Sequence, residues 1–271
     1  MKTSDQKTKK STRIYLLLSA AVLFIAAGIF MYEYAAKEYQ IQKAAQDNLD
    51  LQDEIVNDSD LFDDVGDLSL ISDSHAKEQY ISPIDFETLR SKNSDSVAWM
   101  VIQNAEMSFP VMCHEGDNTY YLNRNFDNEW SVYGAAYIED YNSVDFSDTA
   151  VVVYGHNIRG GKWFGKFQVI YTDKEQFEQS RYIKLYLPDE ERTYRVFAAV
   201  PHNNEHLLES YDFDSPRDYN RFINEAVSSR TVNGITDKDE IPETGTPLLI
   251  LSSCLKGDST HRFLVLAYQC Q

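Results

Sequence analysis

The chain reads as a mostly β protein, a closed barrel or a sandwich, attached behind an apolar N-terminal segment. Three observations lead there. Eight short β-type runs follow one another with turn residues between them. One amphipathic helical pattern interrupts the series late in the chain. The length of 271 residues holds one core domain with room left for an anchor and a connector.

The first element is the run Ile14–Tyr32, 19 residues without a charge, long enough as a helix to cross ~30 Å of hydrocarbon. A cleaved signal peptide would have a shorter apolar core, ~7–15 residues, ending at a small-x-small site. Lys2, Lys7, Lys9, Lys10 and Arg13 precede the run against the single acid Asp5, so the positive-inside rule leaves residues 1–13 as a cytoplasmic tail and sends the remainder outside. The expected location is thus the cell membrane, single-pass, with an extracellular working part. Residues 33–80 read as a stalk and linker. Glu33–Val56 has helix formers with apolar positions at Tyr34, Ile41, Ala45, Leu49 and Val56, and Asp47–Glu78 carries 11 acids against one lysine. That acid density matches no EF-hand spacing, and no metal or cofactor is expected.

The folded part, residues 81–271, opens at Ser82-Pro83, read as an N-cap and N1 pair with Phe86 and Leu89 on one helix face. The β-type runs are Trp99–Gln103, Phe109–Cys113, Ala135–Glu139, Ala150–Tyr154, Tyr182–Leu187, Tyr194–Val200, Leu248–Ser253 and Phe263–Tyr268. Between the sixth and seventh lies the helical pattern Arg217–Val227, with Tyr219, Phe222, Ile223 and Ala226 at i, i+3, i+4, i+7. Aromatic residues at 13%, including 18 Tyr and 14 Phe, supply a core. The net charge of −18 repels phosphates and argues against nucleic-acid binding.

Three cysteines, Cys113, Cys254 and Cys270, allow one bridge at most. Cys254 closes the apolar run LLILSSC, and Arg262 opens the next, RFLVLAY. If those strands are paired neighbours, thiol and guanidinium stand at the same end of the sheet. His156 follows a third buried-type run, AVVVYGH, after a glycine that lets the chain turn. A thiol, a base and a cation at three strand ends form a set for nucleophilic catalysis. Each alone has a plainer reading, as a buried thiol, a structural hydrogen-bonder or a surface charge.

Together these motifs make the chain resemble the sortases, the cysteine transpeptidases that attach proteins to Gram-positive cell walls. The carriers are Leu251-Ser252-Ser253-Cys254 (the family's Leu-x-Thr-Cys), Arg262 before an apolar strand, and Tyr154-Gly155-His156-Asn157. WMVIQNAEMSFPVM, DNTYYLNRNFDNEWSVYGAAYIED and YGHNIRGGKWFGKF are similar to class B, as is the helix between the sixth and seventh strands. The resemblance implies an eight-stranded sortase-like barrel with N-terminal helices. It also implies a thiol-dependent hydrolase and transpeptidase that cleaves the Thr–Gly bond of a C-terminal sorting signal on secreted proteins and passes the thioacyl group to an amine of lipid II or a pilin lysine. In that scheme Cys254 is the nucleophile, His156 the acid and base, and Arg262 the oxyanion donor, while Asn118, Leu122, Tyr154 and Ser252 line the substrate groove.

Two positions depart from the pattern: Ser253 stands for the usual Thr, and Leu255 stands where some class B members have an acid. Ile241-Pro242-Glu243-Thr244-Gly245 resembles a sorting pentapeptide, but barrel strands follow it and a turn is expected there. Two rival functions remain: an L,D-transpeptidase-like cell-wall enzyme, whose Ser-His-Gly-Cys context is missing here, and a non-catalytic surface binding module.

Overall fold

The structure, a computed structural model, describes residues 2–57, 80–158, 160–228 and 234–270. Most of the acidic connector, residues 58–79, therefore lies outside the described residues. The chain divides into two compact units, Met1–Asp47 and Asn48–Gln271. The first is the greater part of helix α1 (Lys2–Ile55), whose Leu16, Phe24 and Phe30 are exposed. By length and composition this helix is able to cross a membrane.

In the second unit the last turns of α1 pack on the barrel. Asn48 donates to the Ser108 carbonyl at 2.8 Å, and Leu51 and Ile55 join Ile84, Phe86, Leu89, Trp99 and Val101 in one apolar cluster. Helix α2 (Phe86–Lys92) starts later than the Ser82-Pro83 signal implies. Its N-cap is Asp85, whose carboxylate accepts from the Thr88 amide at 2.9 Å and the Thr88 hydroxyl at 2.7 Å. Those two bonds hold the Asp85 carboxyl below its ordinary range. Upstream, the Asn57 amide donates to the Pro83 carbonyl and Ile84 bridges Val56, so this stretch stays extended. Burying Leu51 and Ile55 is worth roughly 1.5–3 kcal/mol each. A chain starting at residue 80 should therefore melt well below one starting at residue 43; equal midpoints in thermal unfolding would show that the α1 turns contribute nothing.

The remaining elements are β1 (Ser96–Ile102), β2 (Met107–Met112), β3 (Ala136–Tyr137), β4 (Ala150–Tyr154), β5 (Asn157–Ile158), β6 (Lys162–Trp163), α3 (Phe167–Ile170), α4 (Lys174–Gln179), β7 (Tyr182–Tyr186), β8 (Glu191–Asn203), α5 (Leu207–Ser210), α6 (Pro216–Ser228), β9 (Ile235–Thr236), β10 (Leu248–Leu255) and β11 (Asp258–Gln269). Each β-type run of the sequence is a strand. The third shrinks to two residues, and the sixth grows to thirteen. The sheet order is β11-β10-β4-β3-β2-β1-β7-β8, and β8 pairs back onto β11, closing an eight-stranded barrel with β9 added outside on β8. Two pairings are parallel, β2 with β3 and β4 with β10; the others in the barrel are antiparallel.

Strand alternation puts two cores on the two sides of the wall. Val151, Val153, Leu249, Leu251, Phe263 and Val265 fill the barrel. Ala150, Val152, Leu248, Ile250, Leu264 and Leu266 face outward, under α6, where Tyr219, Phe222, Ile223 and Ala226 cover them. Burial on both faces explains why these strands read as continuous apolar runs. The pentapeptide-like stretch is a turn, as expected: the Thr246 amide donates to the Glu243 carbonyl at 3.1 Å, and Gly245 takes φ +86°, a conformation that favours glycine.

Candidate active site

Strands β10 and β11 form a hairpin in which Cys254 and Arg262 are direct partners. The pairing continues past them to Leu255 opposite Asp258, so the connection tightens to Lys256-Gly257, with Gly257 at φ +81°. Leu248 and Ile250 face the outer core, so Ser252 and Cys254 continue that series, as Arg262 does below Leu264 and Leu266. The thiol thus sits on the outer face of the wall and is exposed. Arg262 Nη1 donates to Cys254 Sγ at 3.6 Å.

The parallel pairing of β4 with β10 sets Tyr154 opposite Ser252, and the Gly155 amide donates to the Ser252 carbonyl at 3.1 Å. Two residues beyond that pair come His156 on one chain and Cys254 on the other, so the same register brings both to one rim. His156 Nε2 bonds the Leu122 carbonyl at 2.7 Å. A carbonyl only accepts, so Nε2 is the donor in this bond. A Cβ on Gly155 would fall 2.5 Å from the ring of Phe164, which is fully buried, so only glycine lets the chain pass.

Two residues that sequence reasoning missed pin the backbone of Cys254. Asn157 Nδ2 and Gln168 Nε2 each donate to the Cys254 carbonyl at 2.9 Å, and Gln168 Oε1 accepts from the Lys256 amide at 2.8 Å. Asn157 belongs to the Tyr-Gly-His-Asn signature and could have been found there; Gln168, on α3, has no sequence signal.

Of the groove candidates, Leu122 supplies the carbonyl that holds His156, and Ser252 is buried beside Tyr154. Asn118 Oδ1 accepts from the Asp140 amide at 2.7 Å, a bond that ties the loop before Tyr120 to the chain after β3. Tyr154 stacks on Tyr137, with ring centroids 5.6 Å apart. Burial, then the nearby Glu139 carboxylate, pushes the Tyr137 hydroxyl up to about 12, with Arg262 opposing. Tyr154 is raised further, again by burial first and Glu139 next.

The other cysteines have different surroundings. Burial, then Asp140, Asp95 and Glu115, pushes the Cys113 thiol up to about 11. Cys270 is raised by burial, and its Sγ donates to the Thr193 carbonyl at 3.3 Å. All three thiols are free, so no Cys113–Cys270 bridge is formed.

No protein-family model matches the chain. Sortase B of Listeria monocytogenes serovar 1/2a is 32% identical over 91 residues, a stretch covering 34% of this chain and only 36% of that relative's length. Sortase B of Staphylococcus aureus is 24% identical over 195 residues, 70% of this chain and 76% of that protein. The crystal structure of Clostridium perfringens sortase B superposes with a TM-score of 0.59 at 25% identity, covering 68% of this chain and 99% of that one. The closed eight-stranded barrel with its N-terminal helix matches the fold of these sortase structures. In sequence and in fold the chain is thus similar to the class B sortases.

Proposed function

We propose that this chain is a membrane-anchored transpeptidase that cleaves a C-terminal sorting signal at a Thr–Gly bond. Arg262 Nη1 on Cys254 Sγ, at 3.6 Å, is the observation that carries the reading. The Cys254 thiolate attacks the threonine carbonyl carbon, and the negative charge moves to the carbonyl oxygen, which the Arg262 guanidinium stabilises. The C–N bond breaks as His156 gives its proton to the departing glycine amine, leaving a thioester on Cys254. An incoming amine, on a wall precursor such as lipid II or on a pilin lysine, loses a proton to His156, attacks the thioester carbonyl carbon and frees the Cys254 thiolate. Water competes for the same intermediate and gives hydrolysis.

Asn157 and Gln168 hold the Cys254 carbonyl, which fixes the strand end and so the thiol's position. The groove is built from Leu122, Tyr154, Ser252 and Asn118. The charge-free run Ile14–Tyr32 and the basic residues before it support an anchor with an outward-facing catalytic part on a Gram-positive cell.

The test is to incubate the full chain in detergent with a panel of peptides containing Thr–Gly, with and without triglycine. Mass spectrometry should find an acyl adduct on Cys254, and triglycine should divert it to a ligated product. Absence of an adduct from every peptide, with the thiol still reactive, would overturn the reading.

A further inference from the structure

Outside the reacting pair, one cluster gathers a buried imidazole and two carboxylates that have too few partners. His202 stands on β8 opposite Arg262 of β11, and its side chain is only 7% exposed. Glu205 lies between β8 and α5, and Glu225 lies on α6. One ring nitrogen and one oxygen of each carboxylate all fall within 4.8 Å of one another. Three separate elements thus bring three metal-type donors to one point, a placement that spacing along the chain does not reveal. Phe222 of α6 packs beside them, its ring centroid 6.0 Å from that of His202 and 5.2 Å from that of Tyr211.

The hydrogen bonding leaves this cluster short of positive charge. His202 Nδ1 bonds the Asn203 carbonyl at 3.2 Å. A carbonyl only accepts, so Nδ1 is the donor, and a neutral ring keeps its lone pair on Nε2. Among the described residues Nε2 makes no hydrogen bond, and Glu205 Oε1 stands 4.0 Å from it. A lone pair facing a carboxylate is repelled unless a cation lies between them. On the other side, the Tyr211 hydroxyl lies 3.0 Å from Glu205 Oε1 and 2.6 Å from Glu225 Oε2. Burial, then Glu225 and Glu205, push that hydroxyl up, so it keeps its proton. It has one hydrogen to offer, and two carboxylates compete for it.

The donor set selects the ion. Calcium and magnesium take oxygen shells, whereas an imidazole nitrogen joined by carboxylates suits zinc and its first-row neighbours. A ligating histidine donates its other ring N–H to a carbonyl or carboxylate, as His202 does to Asn203. Zinc binds such atoms at about 2.0–2.2 Å, which places tetrahedral ligands about 3.4 Å apart, so the widest separation must shrink by on the order of 1 Å. Glu205 and Glu225 are exposed and can turn to close it. The loop carrying Glu205 is moored close by, where His206 Nε2 bonds Glu139 at 2.7 Å.

We propose that His202, Glu205 and Glu225 form a binding site for zinc or a similar divalent transition metal ion. The ion fastens the end of β8 and the loop after it to α6, with water completing its shell on the exposed side. None of the three ligands takes part in the transpeptidase reaction, so the site stands or falls apart from that reading.

The experiment titrates zinc sulfate into the full chain in detergent, stripped with EDTA and carrying Cys254→Ala so that the exposed strand-end thiol does not compete. Isothermal titration calorimetry should find one equivalent bound, and zinc should raise the thermal midpoint. Adding His202→Gln, Glu205→Gln or Glu225→Gln should each weaken binding at least ~tenfold, no less than the loss of an outer-shell partner, and cancel the thermal shift. Zinc should also move the His202 ring signals in NMR. Should His202→Gln fold poorly, the two exposed glutamates decide the matter. No zinc uptake, or equal affinity in the Glu205→Gln and Glu225→Gln proteins, would overturn the site. Displacement of zinc by equimolar calcium chloride would overturn the choice of a transition metal.

Discussion

Cys254→Ala should abolish both the acyl adduct and peptide cleavage, whereas Cys113→Ala and Cys270→Ala should keep most of the turnover. The contrast follows from surroundings rather than from sequence position. Cys254 is exposed on the outer face of the wall with a guanidinium nitrogen on its sulfur. Cys113 is buried, and with its thiol pushed up to about 11 it has almost no thiolate at neutral pH. Cys270 is exposed, but its thiol too is raised, and its Sγ is bonded to the Thr193 carbonyl.

The same difference gives a pH dependence. A raised thiol keeps its proton until the pH approaches its shifted value, so Cys113 should resist iodoacetamide at pH 8 and become reactive only as the pH climbs toward about 11. Mass spectrometry of briefly alkylated protein at pH 8 should find the label on Cys254. Label on Cys113 at that pH, or turnover by Cys254→Ala, would remove the assignment.

Arg262→Lys should lower kcat by at least ~100-fold, the order lost when an oxyanion donor is removed. Guanidinium presents several N–H donors in a fixed plane, and an ammonium presents a single charge on a flexible stem. Here the Arg262 Cα is locked opposite Cys254 in the hairpin register, and Nη1 already lies on the sulfur. A second nitrogen of the same fork remains for a developing oxyanion; lysine would have to serve both places with one group. The change leaves Phe263, Val265 and the other core positions of β11 untouched, so thermal unfolding should move little. Near wild-type kcat in a folded Arg262→Lys protein would place the oxyanion elsewhere.

The parts of this fold legible in the sequence are those where one local pattern decides the outcome. The apolar runs around Val152, Ile250 and Val265 cannot be exposed, and Tyr219, Phe222, Ile223 and Ala226 declare the face of α6. The Cys254–Arg262 juxtaposition needed only the assumption that consecutive strands pair. Where contacts from elsewhere in the chain decide, sequence was a weaker guide: Ser82-Pro83 resembles a helix start, yet the helix is capped by Asp85 because Thr88 gives it two donors while Pro83 and Ile84 are held by Asn57 and Val56. Leu51 and Ile55 sit among acids that read as solvated linker, and their burial depends on a cluster assembled from α2 and β1. Gln168, Glu139 and His206 act across separations of tens of residues, each through one side-chain bond, and no periodicity announces such a partner.

The two-sided burial of β10 and β11 has a consequence for how the molecule can diversify. Any slip of these strands by one residue would exchange the barrel core with the layer under α6 and turn the thiol inward, so their alignment is coupled to the integrity of both apolar layers. Amides in the middle of the hairpin can exchange with solvent only when much of the molecule opens, whereas those at the Lys256-Gly257 connection open locally. Cys254 and Arg262 stand where these regimes meet, at the end of strands buried on both faces. The chain between β8 and β10 shares that coupling through Leu207, Tyr219 and Phe222, which cover the outer layer, so a change there is tolerated only at turns that bury nothing, such as residues 243–245.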